Sequence, residues 1–278
     1  MGKLGNSEKL NGLSKLSRLS LALLVTWLVL PLIPLAIWSV SQSWFFPDLL
    51  PSKYSLRAWS YALSTTSGVP EALWTSTVIA FGTTILSAII GIPAGRALGL
   101  YKFRGKALIE LLILAPMIVP GIAVVLGIHV IFLKIGLANS IGGVVIVHLI
   151  PTLPYMVLVM AGVFANYNPE AEAQARSLGA SPIAVFRYVT LPAIVPGLIV
   201  GSFFAFLVSW SQYILTLIIG GGLVTTLPLL LFNFATSGRN DITGAIALLY
   251  ILPGIVVLLL GAKQLSARNT LANRANQL

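Results

Sequence analysis

The residues of this chain able to do chemistry are few: seven acids, two histidines and no cysteine in 278 positions. A nucleotide-hydrolysing subunit needs a phosphate-cradling G-x4-G-K-[ST] loop. The nearest approach is Arg104-Gly105-Lys106-Ala107, with Leu100 where the first glycine belongs and Ala107 where the hydroxyl belongs. No H-E-x-x-H pattern occurs, and the two histidines, His129 and His148, stand on separate apolar stretches without a nearby carboxylate. Both read as buried, hydrogen-bonded side chains rather than as metal ligands or proton carriers. Without cysteine there is no disulfide framework, thiolate nucleophile or cysteine-ligated metal. The expectation is no catalytic residue, no metal and no cofactor on this chain.

The elements that would have to position any chemistry are set by composition. The chain is 57% hydrophobic and only 9% charged, against about 25% charged in ordinary soluble domains. With mean hydropathy at +0.96, a soluble enzyme is excluded, because too little polar surface exists to cover a globule in water. Uncharged stretches long enough to span a bilayer run over Ser20–Val40, Leu73–Gly95, Leu111–Leu133, Ile141–Phe164, Ile194–Ile219 and Ile242–Ala262. The fold class expected is therefore an all-α membrane protein with six transmembrane helices. Lys3, Lys9, Lys15 and Arg18 precede the first stretch, whose length and poor cleavage site, Ser39-Val40-Ser41, make it a retained span rather than a signal peptide.

Net charge is +10, which topology explains better than nucleic acid does. With the N-terminus cytoplasmic, thirteen basic residues lie inside: Lys3, Lys9, Lys15, Arg18, Arg96, Lys102, Arg104, Lys106, Arg176, Arg187, Lys263, Arg268 and Arg274. Four lie outside, Lys53, Arg57, Lys134 and Arg239. The positive-inside rule then gives an N-in/C-in chain. Three parts follow: a cytoplasmic segment 1–19, a six-span domain 20–262 and a cytoplasmic tail 263–278. The longest external connection, from Ser41 to about Ala72, carries Trp44, Phe45, Phe46, Tyr54, Trp59 and Tyr61 and is expected to hold a helix along the interface.

Small residues recur every fourth position at Ser87, Gly91, Gly95 and Gly99, and again at Gly197, Gly201, Ala205 and Ser209, so each set shares one helix face and lets another backbone come close. One stripe is expected to pack within the chain, and the other is open to a subunit interface. Ten prolines in or near the spans free backbone carbonyls, which favours a transporter over an inert anchor. Glu110, at the end of the third stretch, stands four residues from Lys106 and reads as a salt bridge or a snorkelling side chain. Within the fifth span, Ser209, Gln212 and Tyr213 fall near one helix face, which either lines a wet pathway or hydrogen-bonds to other helices.

Between spans four and five, residues 166–192 are the least apolar part of the middle of the chain. Asn168 is a good N-cap, Pro169 suits the first helical turn, and Glu170 and Glu172 complement the helix dipole. Gly179 fits a C-terminal cap, Ser181-Pro182 repeats the start signal, and the second helix is expected to run to about Thr190, with Pro192 turning the chain into span five. Ala171, Ala175 and Leu178 share a face of the first helix. Val185 and Val189 share one on the second, with Ile183 and Phe186 on a neighbouring one. The pair can offer an apolar knob to a partner's groove.

This segment resembles the EAA motif of ABC-importer permeases, in which E-A-A is followed by three residues, G, nine residues and I-x-L-P. Gly179 takes the glycine position, Val189 stands for the isoleucine, and Leu191 and Pro192 complete the ending. The triplet falls on Ala173, Gln174 and Ala175, and the nearest acid, Glu172, lies one residue early, about 100° round the helix. Span number, orientation and loop position are similar to the same family over nearly the whole chain.

The resemblance implies a permease subunit of an ATP-binding-cassette importer in a bacterial inner membrane. It forms half of a pathway with a second, identical or homologous permease subunit, fed by an external substrate-binding protein. The loop is implied to couple to a separate ATPase that holds ATP and Mg, through Glu170, Glu172, Ala175, Leu178, Gly179, Ala180, Ser181, Val185, Phe186, Leu191 and Pro192. Lipid surrounds the spans and no nucleic acid is involved. Thr225-Thr226-Leu227-Pro228 looks most like the branch that carries spermidine or putrescine, 2-aminoethylphosphonate, thiamine and ferric iron, which suggests a polyamine or related small solute. A secondary ion-coupled carrier and a non-transporting anchor or assembly protein are the competing readings.

Overall fold

The computed structural model describes residues 17, 19–45 and 47–256. The N-terminal lysines, Arg18, Phe46, the end of the sixth apolar stretch and the basic tail lie outside the described residues. The chain forms two compact units: the chain up to Ser67 with Leu231–Leu249, and Gly68–Leu230 with the chain from Tyr250.

In the first unit, α1 (Leu19–Val29) and α2 (Leu32–Ser39) meet at 43° rather than forming one straight span. Pro31, which has no N–H to donate, sits at the junction. A short antiparallel ribbon follows, β1 (Ser41–Ser43) paired with β2 (Lys53–Tyr54), then the six-residue α3 (Arg57–Ala62). A short helix is present in this connection, and the ribbon ahead of it was not expected.

The second unit contains α4 (Val69–Leu100), α5 (Lys106–Ile118), α6 (Gly121–Lys134), α7 (Ile141–Ala165), α8 (Glu170–Ser177), α9 (Pro182–Val185), α10 (Leu191–Trp210), α11 (Ile214–Gly220) and the start of α12 (Leu227–Thr236). The last helix among the described residues, α13, is Asn240–Val256. Among the described residues, α4, α7 and the continuous helix Pro182–Trp210 are long and apolar enough to cross a membrane, and the bent pairs α1–α2 and α5–α6 raise the number to five. The single span expected over Leu111–Leu133 is instead α5 and α6 crossing at 102°. Val119 and Pro120 take extended backbone there, and Pro120 cannot donate into the ladder. The expected Lys106–Glu110 pair forms at 3.9 Å.

The core of this unit is α7, flanked by α4 and α10, and both small-residue stripes pack against it. A β-carbon on Gly91 would run into Met156, and one on Gly99 would lie 2.6 Å from the Ala161 carbonyl oxygen. From α10, Gly197 faces Val163 and Gly201 faces Met156. The stripe left open to a subunit interface is thus used within the chain, because α7 presents bulky Met156, Met160 and Phe164, all fully buried, on both sides. Ser87 Oγ and Thr152 Oγ1, 2.9 Å apart, add a buried hydroxyl pair between α4 and α7. Such pairs satisfy polar groups where lipid offers no partner.

Candidate functional site

The segment joining α7 to α10 folds as its capping residues dictate. Asn168 Oδ1 accepts from the Glu170 amide at 2.9 Å, tying down the open start of α8. At its end Gly179 has φ +86°, a conformation costly for any residue with a β-carbon. The Gly179 amide reaches the Arg176 carbonyl and the Ala180 amide reaches the Ala175 carbonyl, a Schellman closure of the last turn. Ser181 Oγ then accepts from the Ala184 amide at 3.3 Å and starts α9.

The turn expected at Pro192 is absent, and the helix runs unbroken from Pro182 to Trp210. Phe186–Thr190 forms a π turn in which the Leu191 amide bonds the Phe186 carbonyl five residues back. Widening the helix by one residue just ahead of Pro192 relieves the clash that a proline ring makes with the preceding turn.

Glu172 lies at the centre of the segment and is 3% exposed. Its Oε1 accepts from Arg96 Nη1 at 2.7 Å, Thr190 Oγ1 at 2.7 Å and Tyr167 Oη at 2.9 Å. Its Oε2 accepts from Arg96 Nη2 at 2.8 Å and Arg176 Nη2 at 2.9 Å. Arg96, near the end of α4, therefore grips the carboxylate with both arms of its guanidinium, the strongest geometry for such a pair. The ring of Phe164 supports Arg96 from below, 5.5 Å from its guanidinium carbon, and Tyr167 meets Phe164 edge-on at 5.7 Å. The Arg96 guanidinium, against the opposing effect of burial and with help from Thr190 and Tyr167, holds the Glu172 carboxyl down at about 2. Burial pushes the Tyr167 phenol up. One ionised side chain thus fastens α8 to α4, to the end of α7 and to the π turn.

The acid one residue ahead of the motif's triplet points inward at position 172, while Ala173 and Gln174 are exposed. Of the remaining expected residues, Val185 is buried, Ala175, Ala180 and Leu191 are half-buried, and Glu170, Gly179, Ser181 and Pro192 are exposed. Leu178 at 89% and Ile183 at 80% stand out from α8 and α9 as bare apolar side chains, joined by Tyr188 and the partly exposed Phe186. Arg96, Tyr167, Thr190 and Tyr188 escaped the reading of the motif. The signal for Arg96 was available, since it is the only basic residue in α4.

Ser209, Gln212 and Tyr213 do not share a helix face, because α10 ends at Trp210 and α11 begins at Ile214. Ser209 is buried against His148 Nδ1 at 2.9 Å, whereas Gln212 and Tyr213 are half-buried at the break itself. His148 is buried and hydrogen-bonded through both ring nitrogens. His129 departs from the expected buried, hydrogen-bonded state: it is half-buried, and its Nδ1 is buried without a hydrogen-bond partner among the described residues. No group of three or more potential metal-ligating side chains occurs among the described residues.

A family model described as binding-protein-dependent transport system inner membrane component matches residues 91–270. The chain is similar to the molybdenum transport system permease protein ModB of Mycobacterium tuberculosis, 33% identical over 220 residues covering 73% of this chain and 83% of that one. It is similar also to the putrescine transport system permease protein PotI of Escherichia coli, 29% identical over 233 residues and 81% of each chain. In fold it is similar to a chain of a bacterial ABC transporter involved in import of the acidic polysaccharide alginate. The TM-score is 0.65 at 20% identity, over 92% of this chain and 97% of that one.

Proposed function

This chain belongs to the family of binding-protein-dependent transport system inner membrane components and is a permease subunit of an ABC importer, and on that basis we propose that residues 166–192 dock on a separate nucleotide-binding subunit where ATP is hydrolysed with Mg. The observation that carries this is the pairing of two opposite features on one short segment. Glu172 takes two hydrogen bonds from Arg96 of α4 and three more from Tyr167, Arg176 and Thr190 within the segment, while Leu178, Ile183 and Tyr188 are held out bare. An apolar knob on a fastened base suits a socket on a partner that must push or pull.

The same reading takes six spans, with both termini cytoplasmic: α1–α2, α4, α5–α6, α7, Pro182–Trp210, and the uncharged stretch Ile242–Ala262. A second permease subunit completes the pathway, an external binding protein delivers the solute, and Gln212 and Tyr213 at the helix break face it. PotI carries putrescine in its name, and we assign this chain a polyamine or related small solute.

The test is to purify the intact complex with its binding protein. A stoichiometric ATPase and a small amine identified by mass spectrometry on the binding protein are expected. ATP-independent uptake by vesicles holding this chain alone would overturn the coupling to an ATPase.

A further inference from the structure

Deep in α7, His148 is 1% exposed and makes contact with both arms of a broken helix. Its Nδ1 is 2.9 Å from Ser209 Oγ, in the last turn of α10, and its Nε2 is 3.0 Å from Thr216 Oγ1, in the first turn of α11. Between those turns the chain is not helical, and Ser211, Gln212 and Tyr213 carry it across. Backbone that leaves the helix inside a bilayer must be satisfied by protein or by a wet cavity.

The direction of each bond follows from counting hydrogens. Thr216 has one hydroxyl hydrogen, and it points to the Gln212 carbonyl at 3.2 Å. With its hydrogen given to that carbonyl, Thr216 Oγ1 accepts from the imidazole tautomer that carries its hydrogen on Nε2. Nδ1 is left with a lone pair, and Ser209 donates to it. The chain of bonds runs one way, Ser209 to His148 to Thr216 to the Gln212 carbonyl, and closes with a neutral ring. The end of α10 has a further fixture, since Trp210 Nε1 donates to the Tyr250 carbonyl at 3.1 Å and stacks on the Tyr250 ring. Of the two arms, α10 is thus held at its end, and α11 is held to it through the imidazole.

We infer that His148 is the positioning residue of an internal joint: it fixes the angle between α10 and α11, and the pathway beside Gln212 opens when the Ser209–His148–Thr216 chain parts. The inference rests on the reading of the chain as an ATP-driven permease. It adds which contact the transport cycle must break.

The chain has no cysteine, so Ser211→Cys, exposed at the break, supplies a single thiol. In vesicles holding the intact importer, its labelling by a membrane-impermeant maleimide is compared without nucleotide and after trapping with ATP and vanadate. On the native background the two rates should differ by at least about fivefold. His148→Gln, which still offers one acceptor and one donor, should keep that difference. His148→Leu should bring the two rates within about twofold of each other.

Thr216→Val keeps the side-chain volume, removes the acceptor and should behave like His148→Leu. It decides the matter where the leucine variant fails to assemble with its ATPase. State-dependent labelling that survives Thr216→Val or His148→Leu overturns the inference, as does equal labelling of the native background in a complex that hydrolyses ATP. Absence of any ATPase from the native complex would instead sink the proposed function, and this joint with it.

Discussion

Glu172→Gln is the most informative single change, because it keeps the shape of the side chain and removes only its charge. The amide oxygen can still accept from Arg96 Nη1, Tyr167 and Thr190. The amide nitrogen, a donor, then faces Arg96 Nη2 at 2.8 Å and Arg176 Nη2 at 2.9 Å, both of them donors. Arg176, 60% exposed, can turn to water, so its bond contributes little, whereas Arg96 is 28% exposed and held in place by Phe164. The cost is about 2–4 kcal/mol, set mainly by the charge left on Arg96.

That energy raises the open population of the segment roughly 30- to 1,000-fold. Hydrogen exchange on the purified importer reads it directly, at the amides of Leu178, Ala180 and Val185, which close the turns of α8 and α9. Acid should reproduce the effect. A carboxyl held at about 2, against an ordinary 4.5, contributes its full stabilisation above 4.5 and loses it as pH falls from there through 2. The gap between native and variant should accordingly be flat from pH 8 to pH 5. Exchange within about threefold of native, or a gap that closes between pH 8 and pH 6, would refute the anchoring role.

Three further outcomes are expected. Arg96→Lys keeps the charge and loses the two-armed grip, so the same amides should exchange faster than native and slower than in Glu172→Gln. Gly95→Ala sets a β-carbon 2.9 Å from the Ala161 backbone nitrogen and should cost about 1–3 kcal/mol, seen as a lower melting temperature in detergent. Leu178→Asp combined with Ile183→Asp changes two exposed positions and should leave that melting temperature within about 2 °C while abolishing co-purification of the ATPase.

What was legible in the sequence was local. Asn168, Gly179 and Ser181 act through backbone groups within three or four residues, so their types alone gave α8 and the start of the helix at Pro182, but not that this helix continues past Pro192. The glycine stripes were legible too, since spacing on a helix needs no partner to be read. The grip of Arg96 on Glu172 joins positions 76 residues apart, and a sequence shows only that each charge exists. Prolines were ambiguous for a related reason. Pro93, Pro151, Pro154 and Pro196 sit inside continuous helices, Pro120 marks a 102° bend, and Pro192 is accommodated by a π turn. Whether a freed carbonyl bends a helix depends on what the neighbouring chain offers it.

The unbroken helix from Pro182 to Trp210 has 29 residues and so measures about 43 Å. Its first turn bears Ile183, and its far end reaches the joint beside His148. A tilt of about 10° around that joint would carry Ile183 through about 7 Å, an oar stroke with no elbow between blade and oarlock. Amplitude at the blade is then fixed by geometry alone, and a glycine pair placed in the π turn would let the blade feather while the shaft stood still.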